Sequence, residues 1–246
     1  MIDLRRNEAK ILQNAKHCKE NKIKIPTFAQ MQNPEKIPEK IKNELKKISL
    51  WEVNPNNLFR ITWKNEPVSK GGGFGGVNYI VIPKEISGVD ANIIALVGKW
   101  FPTGAHKVGA TYGCLAPALT TGQFCPSDTK AVWPSTGNYC RGGAYVSSLL
   151  GCNSIAILPE NMSRERFEWL ENVAGEVIAT PGCESNVKEI FDKCWELKKT
   201  RNDIQIFNQF EEFGNPLWHY MVTGRAAEEA LMREMGPNSK LAGSIS

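Results

Sequence analysis

The chain has 246 residues, 41% of them hydrophobic and 23% charged, which suits one α/β unit or two small lobes and excludes a disordered or fibrous protein. No apolar run reaches the roughly 18 residues of a spanning helix, and residues 1–10 are charged instead of signal-like, so the expectation is a cytoplasmic protein with no membrane role. The net charge of +4 is uneven: residues 1–50 hold 12 Lys+Arg against 6 Asp+Glu, leaving −2 for the rest.

The basic stretch reads as amphipathic helix from Leu4 to Lys24 and again from Pro38 to Leu50, interrupted by a proline-punctuated segment, Pro26 to Pro34. Its lysines alternate with Ile, Leu and Glu and lack interleaved aromatics, so they read as a solvated face and not as a nucleic-acid patch. The expectation is a basic, mainly helical extension over residues 1–70 and a catalytic domain over 71–246. Ser69-Lys-Gly-Gly-Gly-Phe-Gly-Gly is a flexible loop without the lysine and hydroxyl pair of a phosphate-binding P-loop.

Beyond that loop the pattern alternates. Strands are expected at Asn92–Val97, Ala131–Pro134, Ser154–Leu158, Gly175–Ala179 and Ile204–Asn208. Helices are expected at Lys107–Leu119, Arg141–Leu150, Arg164–Val173 and Asn186–Lys199. Repeated βα units of this length imply an α/β fold with a doubly wound parallel sheet and helices on both faces. Seven cysteines and three histidines show neither a CxxC pair nor HExxH spacing, which disfavours a disulfide framework and a metal centre.

Two motifs carry chemistry. Thr103-Gly-Ala-His-Lys puts Lys107 at a loop-to-helix junction, where partial shielding favours the neutral amine that forms Schiff bases; alone, a lysine there also reads as an exposed charge. Pro134-Ser-Thr-Gly-Asn-Tyr-Cys-Arg-Gly-Gly-Ala sets hydroxyls, a glycine turn and an amide between a strand and a helix amino terminus, where a carboxylate finds free N–H groups and a favourable dipole.

Together these residues resemble the fold-type II pyridoxal 5′-phosphate (PLP) enzymes. The lysine and the asparagine of the Ser/Thr-Gly-Asn turn stand 31 apart, at 107 and 138. The peptide ending in Lys107 is similar to that of the tryptophan synthase β chain. Leu158-Pro-Glu-Asn-Met-Ser-Arg-Glu-Arg, Gly175-Glu-Val-Ile-Ala-Thr-Pro-Gly, Asn208-Gln-Phe, Asn215-Pro, His219 and Thr223-Gly look more like cysteine synthase and cystathionine β-synthase.

The resemblance implies PLP as cofactor, Lys107 as Schiff-base lysine and proton carrier, and Asn138 as partner of the cofactor's phenolic oxygen. It implies further that Ser135, Thr136, Gly137, Tyr139 and Gln209 receive the substrate carboxylate, and that His106 lies near the cofactor phosphate. The implied activity is β-elimination or β-replacement on a serine-derived amino acid with sulfide, in a homodimer. Deamination of serine, threonine or a diamino acid, and a non-catalytic subunit acting by partner binding, are the alternatives.

Ser163 reads as a helix cap, with Glu165 and Arg166 as packing or ion-pair partners. Phe207, Phe210, Phe213 and Trp218 read as core or lobe-interface residues, and Cys140 as a buried structural thiol. The family's glycine-rich phosphate cup and its pyridine-nitrogen partner would follow Leu241-Ala-Gly-Ser-Ile-Ser246. The expectation is therefore a fragment, or one piece of a split enzyme that associates with a missing carboxyl-terminal portion.

Overall fold

The computed structural model describes residues 5–245. Four parallel strands form the main sheet: β3 (Lys130–Pro134), β4 (Ser154–Pro159), β5 (Glu176–Thr180) and β6 (Ile204–Ile206), in the order β5-β4-β3-β6. The central pair, β3 and β4, is almost wholly buried, as a parallel sheet covered on both faces requires. Alternation along these strands divides the core. Ala131, Trp133, Ala156 and Leu158 belong to the main cluster, while Val132, Ile155 and Ile157 join Ile190, Cys194 and Leu197 of α8 (Val187–Thr200) in a second one.

The main cluster is built on α5 (Lys107–Thr120) and α6 (Asn138–Leu149), with α7 (Arg164–Val173) alongside. Eleven of the 14 residues of α5 are buried, so this helix lies inside the lobe and not on its surface. Glycine lets it get there: a Cβ built on Gly142 of α6 would stand 2.9 Å from Val108 N and 3.1 Å from Lys107 C. Any side chain at 142 would force the two helices apart. α9 (Gly214–Trp218), a π-helical turn (His219–Thr223) and α10 (Gly224–Glu234) close the lobe.

The structure corrects the expected strand pattern in one place. The run expected at Asn92–Val97 forms β2 (Ile93–Leu96), but it pairs antiparallel with β1 (Tyr79–Ile82) in a separate two-stranded sheet, so it is no part of the parallel one. The short α4 (Lys84–Ser87) fills the connection, which is too brief for the crossover that a parallel pair needs.

The amino-terminal helices are shorter than expected: α1 covers Glu8–Glu20, α2 Phe28–Gln32 and α3 Glu39–Leu45. Leu4, the start of the first expected helix, lies outside the described residues. α2 stands where a proline break is expected, with Thr27 and Gln30 closing a reciprocal capping box. These segments are woven into the lobe. Asn14 Nδ2 donates to Leu119 O and Phe124 O at 2.7 and 2.8 Å, Gln32 Nε2 donates to Met221 O at 2.7 Å, and the Tyr112 hydroxyl donates to Pro26 O. Ile23, Met31, Leu58, Ile61 and Trp63 sit in the main core cluster.

Candidate functional site

Chain order fixes where a ligand can bind. From β3 the chain runs outward through β4 to β5, then returns to place β6 on the other side of β3. The crevice beyond the carboxyl ends of β3 and β6 is the topological switch point, where open α/β sheets bind ligands. The two loops that leave there are Ser135–Gly137 and Phe207–Phe213, so the sequence-derived carboxylate residues and Gln209 flank one crevice.

Lys107 reaches the same place from α5. Its side chain is half-buried and makes no hydrogen bond or ion pair among the described residues. The Gly142 contact sets the main chain of Lys107 against α6. Asn138 lies four residues before Gly142, one turn toward the amino terminus on the same helix face. It is exposed and its amide is unpaired among the described residues. The main chain of Lys107 thus lies against α6 one helical turn from Asn138, 31 positions on in sequence.

The loop between β3 and α6 is preorganised. Gly137 N donates to Ser135 Oγ at 3.2 Å, Ser135 N donates to Ile157 O at 3.1 Å, and Arg166 Nη1 donates to Thr136 O at 3.1 Å. Arg166, expected as an ion-pair partner, instead clamps this loop, and Ser163 occupies the cap position of α7 without a side-chain capping bond. Tyr139 turns inward: it is 1% exposed, packs on Trp133, and its hydroxyl lies 3.6 Å from Cys114 Sγ. What Tyr139 offers the loop is its backbone. Gln209 is half-buried, and its carbonyl accepts from Asn215 Nδ2 at 2.9 Å.

His106 stands on the other side of Lys107. Its ring stacks on Trp63 with centroids 5.6 Å apart, and meets His219 edge-on at 5.4 Å. Burial, followed by the charge of Lys107, lowers its pKa. His219 is pushed down to about 4 by burial, then by His106 and Lys107. Both imidazoles are therefore neutral near pH 7, and each can donate one N–H without adding a repelling cation beside the lysine. His219 Nδ1 and Trp63 Nε1 both meet Thr223 Oγ1 at 3.0 Å. A cavity of about 620 Å³ lies behind this group, lined by Trp63, Lys64, Arg225 and Glu229 among others. Lys64 and Arg233 already pair with Glu229 in its wall, so it is separate from the Lys107 crevice.

Several features escaped the sequence motifs. Thr103 adopts φ +65°, with its buried hydroxyl unpartnered, directly before the turn into Lys107; strain of this kind is concentrated at functional sites. Glu212, on the β6 loop, has its pKa raised to about 7 by burial and then by Glu211, and it acts electrostatically on Tyr139 and Cys114. Of the aromatics expected in the core, Phe207 and Trp218 are buried whereas Phe210 and Phe213 are exposed. Cys140 is fully buried, with its thiol pushed up to about 12. Among the described residues no His, Cys, Asp or Glu cluster could hold a metal, and no helix is long and apolar enough to cross a membrane.

No protein-family model matches the chain. It is 28% identical over 152 residues to cystathionine β-synthase of Saccharomyces cerevisiae, covering 61% of this chain and 30% of that protein. It is 29% identical over 150 residues to cysteine synthase of Staphylococcus aureus, covering 61% and 47% respectively. The chain thus spans less than half the length of either relative. A hydrogen sulfide-producing enzyme from Fusobacterium nucleatum superposes with a TM-score of 0.52 at 26% identity, over 63% of this chain and 49% of that one. An O-acetylserine-dependent cystathionine β-synthase from Helicobacter pylori shares the fold with a TM-score of 0.56 at 23% identity, over 65% and 51%.

Proposed function

We propose that this chain, homologous to the fold-type II PLP enzymes cysteine synthase and cystathionine β-synthase, is the lysine-bearing lobe of a PLP-dependent β-replacement enzyme acting on a serine-derived amino acid with sulfide. The observation that carries the reading is the α5–α6 clasp, which packs the main chain of Lys107 against α6 one turn from Asn138, both side chains being unpaired among the described residues.

The residues present fit the cofactor. Lys107 has no competing partner, Asn138 has a free amide, and the buried Thr103 hydroxyl is unpartnered. When bound, PLP supplies an electron sink that makes the Cα proton of an amino acid acidic. Lys107 would take and return that proton, since its side chain has no hydrogen-bond or ion-pair partner among the described residues. Asn138 would hold the cofactor through its free amide, as a donor to the ring oxygen. Ser135, Thr136, Gly137 and the backbone of Tyr139 hold the substrate carboxylate at the amino terminus of α6, with Gln209 closing from the β6 side. The neutral His106 would be a donor for the cofactor phosphate. We assign the enzyme to the cytoplasm, in line with seven free cysteines, and to a homodimer by analogy with its relatives.

The test is to add PLP to the purified chain and to Lys107→Ala, reduce with borohydride, and map the modified peptide by mass spectrometry. The expected result is a visible band beyond that of free PLP and a pyridoxyl mass on Lys107, both lost in the variant. Modification spread over surface lysines, or a band unchanged by Lys107→Ala, refutes the assignment.

A further inference from the structure

Two arginines beside the carboxylate loop have no acid to pair with. Arg141 and Arg166 form no ion pair among the described residues, and each acts electrostatically on the thiol of Cys140, as Arg166 does on Arg141. Arg166 spends one N–H on Thr136 O. Arg141 lies over two indoles, 5.3 Å from the Trp51 ring centroid and 5.1 Å from that of Trp169, and its buried Nε has no hydrogen-bond partner. Trp51 and Trp169 meet edge-to-face at 6.1 Å, forming a corner that holds the guanidinium in one orientation.

The position of this corner ties it to the crevice. Arg141 follows Asn138 by three residues on α6, on the same side of the helix. Trp51 also packs on Gly104, three residues before Lys107: a Cβ at Gly104 would lie 3.4 Å from its ring. Gly137 lies beside Arg166, with a built Cβ 3.9 Å from Nη1. The corner therefore touches both segments that frame the amino-acid site, and no carboxylate among the described residues pairs with it. Holding two partly desolvated like charges together is unfavourable. Burial and the charge of Arg166 lower the Arg141 pKa accordingly. A dianionic or carboxylate group would relieve that repulsion through charge-assisted, bidentate contacts.

We propose that Arg141 and Arg166 form a subsite for a second anionic group, a phosphate or carboxylate borne on the side chain of the amino-acid substrate. The inference rests on the reading of the crevice as an amino-acid site. It makes Arg141 a specificity residue that favours a charged β-substituent over a neutral one.

Trp51 and Trp169 supply a readout that needs neither cofactor nor turnover. Tryptophan fluorescence of the full chain is titrated with O-phospho-L-serine, O-acetyl-L-serine and inorganic phosphate, for the wild type, Arg141→Gln and Lys107→Ala. Circular dichroism confirms that each variant is folded. Saturable quenching by O-phospho-L-serine is expected, tighter than that by inorganic phosphate and weakened about tenfold or more by Arg141→Gln. O-acetyl-L-serine should bind more weakly and be indifferent to that variant. Wild-type affinity for O-phospho-L-serine in Arg141→Gln would overturn the proposal, leaving the corner a structural fastening of residues 51 and 169. Phosphate binding as tight as O-phospho-L-serine would overturn the assignment to substrate. Anion binding that persists while the PLP band proves independent of Lys107 would sink the β-replacement reading alone, so the two failures are separable.

Discussion

Replacing Gly142 with alanine tests the helix clasp that carries the site. A built Cβ there stands 2.9 Å from Val108 N, 3.0 Å from Val108 Cα and 3.1 Å from Lys107 C. Carbon atoms in contact prefer about 3.5–4.0 Å, so α5 and α6 must separate by roughly half an ångström at this point. All three obstructing atoms are backbone, and no rotamer change can relieve the clash. Overpacking of this kind costs about 1–3 kcal/mol, while alanine in a helix interior regains about 1 kcal/mol of propensity over glycine. The clash wins, for a net loss of about 0–2 kcal/mol in urea unfolding. Gly224→Ala is the matched control: its Cβ would meet only His219 O at 3.7 Å, so it should gain up to about 1 kcal/mol from propensity alone. The separation also moves Asn138, one turn along α6, away from Lys107, so Gly142→Ala should weaken PLP binding whereas Gly224→Ala should not. A Gly142→Ala protein as stabilised as the control, with unchanged cofactor affinity, would refute the clasp argument.

Three further changes probe the surroundings. Thr103→Gly removes a left-handed conformation that costs about 1–2 kcal/mol for a residue with a Cβ, offset by about 0.5–1 kcal/mol of added chain entropy. Thermal unfolding should show a gain of up to about 1 kcal/mol, and a loss of that size would contradict it. Tyr145→Phe takes a hydroxyl from Glu52 O at 2.6 Å and Leu50 O at 3.3 Å, and from Asn57 Nδ2 at 3.2 Å. It should cost about 1–3 kcal/mol in the same assay, and a neutral result would mean that the 50–57 segment is fastened by other contacts. Glu212, raised to about 7 from the ordinary 4.5, binds more protons folded than unfolded between those values, so its contribution to stability declines as pH rises through that window. His219, lowered to about 4 from 6.5, binds fewer protons folded, so its contribution grows as pH rises from 4 to 6.5. Glu212→Gln should therefore be more favourable, relative to wild type, at pH 8 than at pH 5, and a pH-independent difference in melting temperature would refute this.

What the sequence made legible was local. The runs expected at 131–134, 154–158 and 204–208 are short and lie between turn residues, and all became strands of the parallel sheet, the last ending at Ile206. The Ser135–Asn138 turn and Lys107 could be read because each stands at an element boundary, where residue type reports directly on backbone geometry. The β1–β2 pair went partly unread. Tyr79–Ile82 has only four residues behind a glycine run, and no sequence period shows whether a four-residue strand at 93–96 pairs parallel or antiparallel. The buried positions of residues 1–70 were hidden for a related reason. Lysines at helical spacing report a solvated face, but Met31 enters the core from the five-residue α2, and Leu58 and Trp63 from a short 3₁₀ helix and a turn, all too short to show a period.

The electrostatic character of the site depends on contacts with no sequence signature. Trp63 and His106 are separated by 43 positions, His106 and His219 by 113, and Trp51 and Arg141 by 90, yet each pair is in ring or cation–π contact in the folded chain. The imidazoles of His106 and His219 are neutral near pH 7, whereas Arg141 and Arg166, near the Ser135–Asn138 loop, carry charge with no ion-pair partner among the described residues. If the crevice takes an amino acid as proposed, its carboxylate and any second anion should turn toward α6. A substitution that charges the histidine flank, or discharges the arginine flank, should disturb that orientation while leaving Lys107 in place. The local motif names the candidate lysine, and only the long-range contacts of the folded chain show what surrounds it.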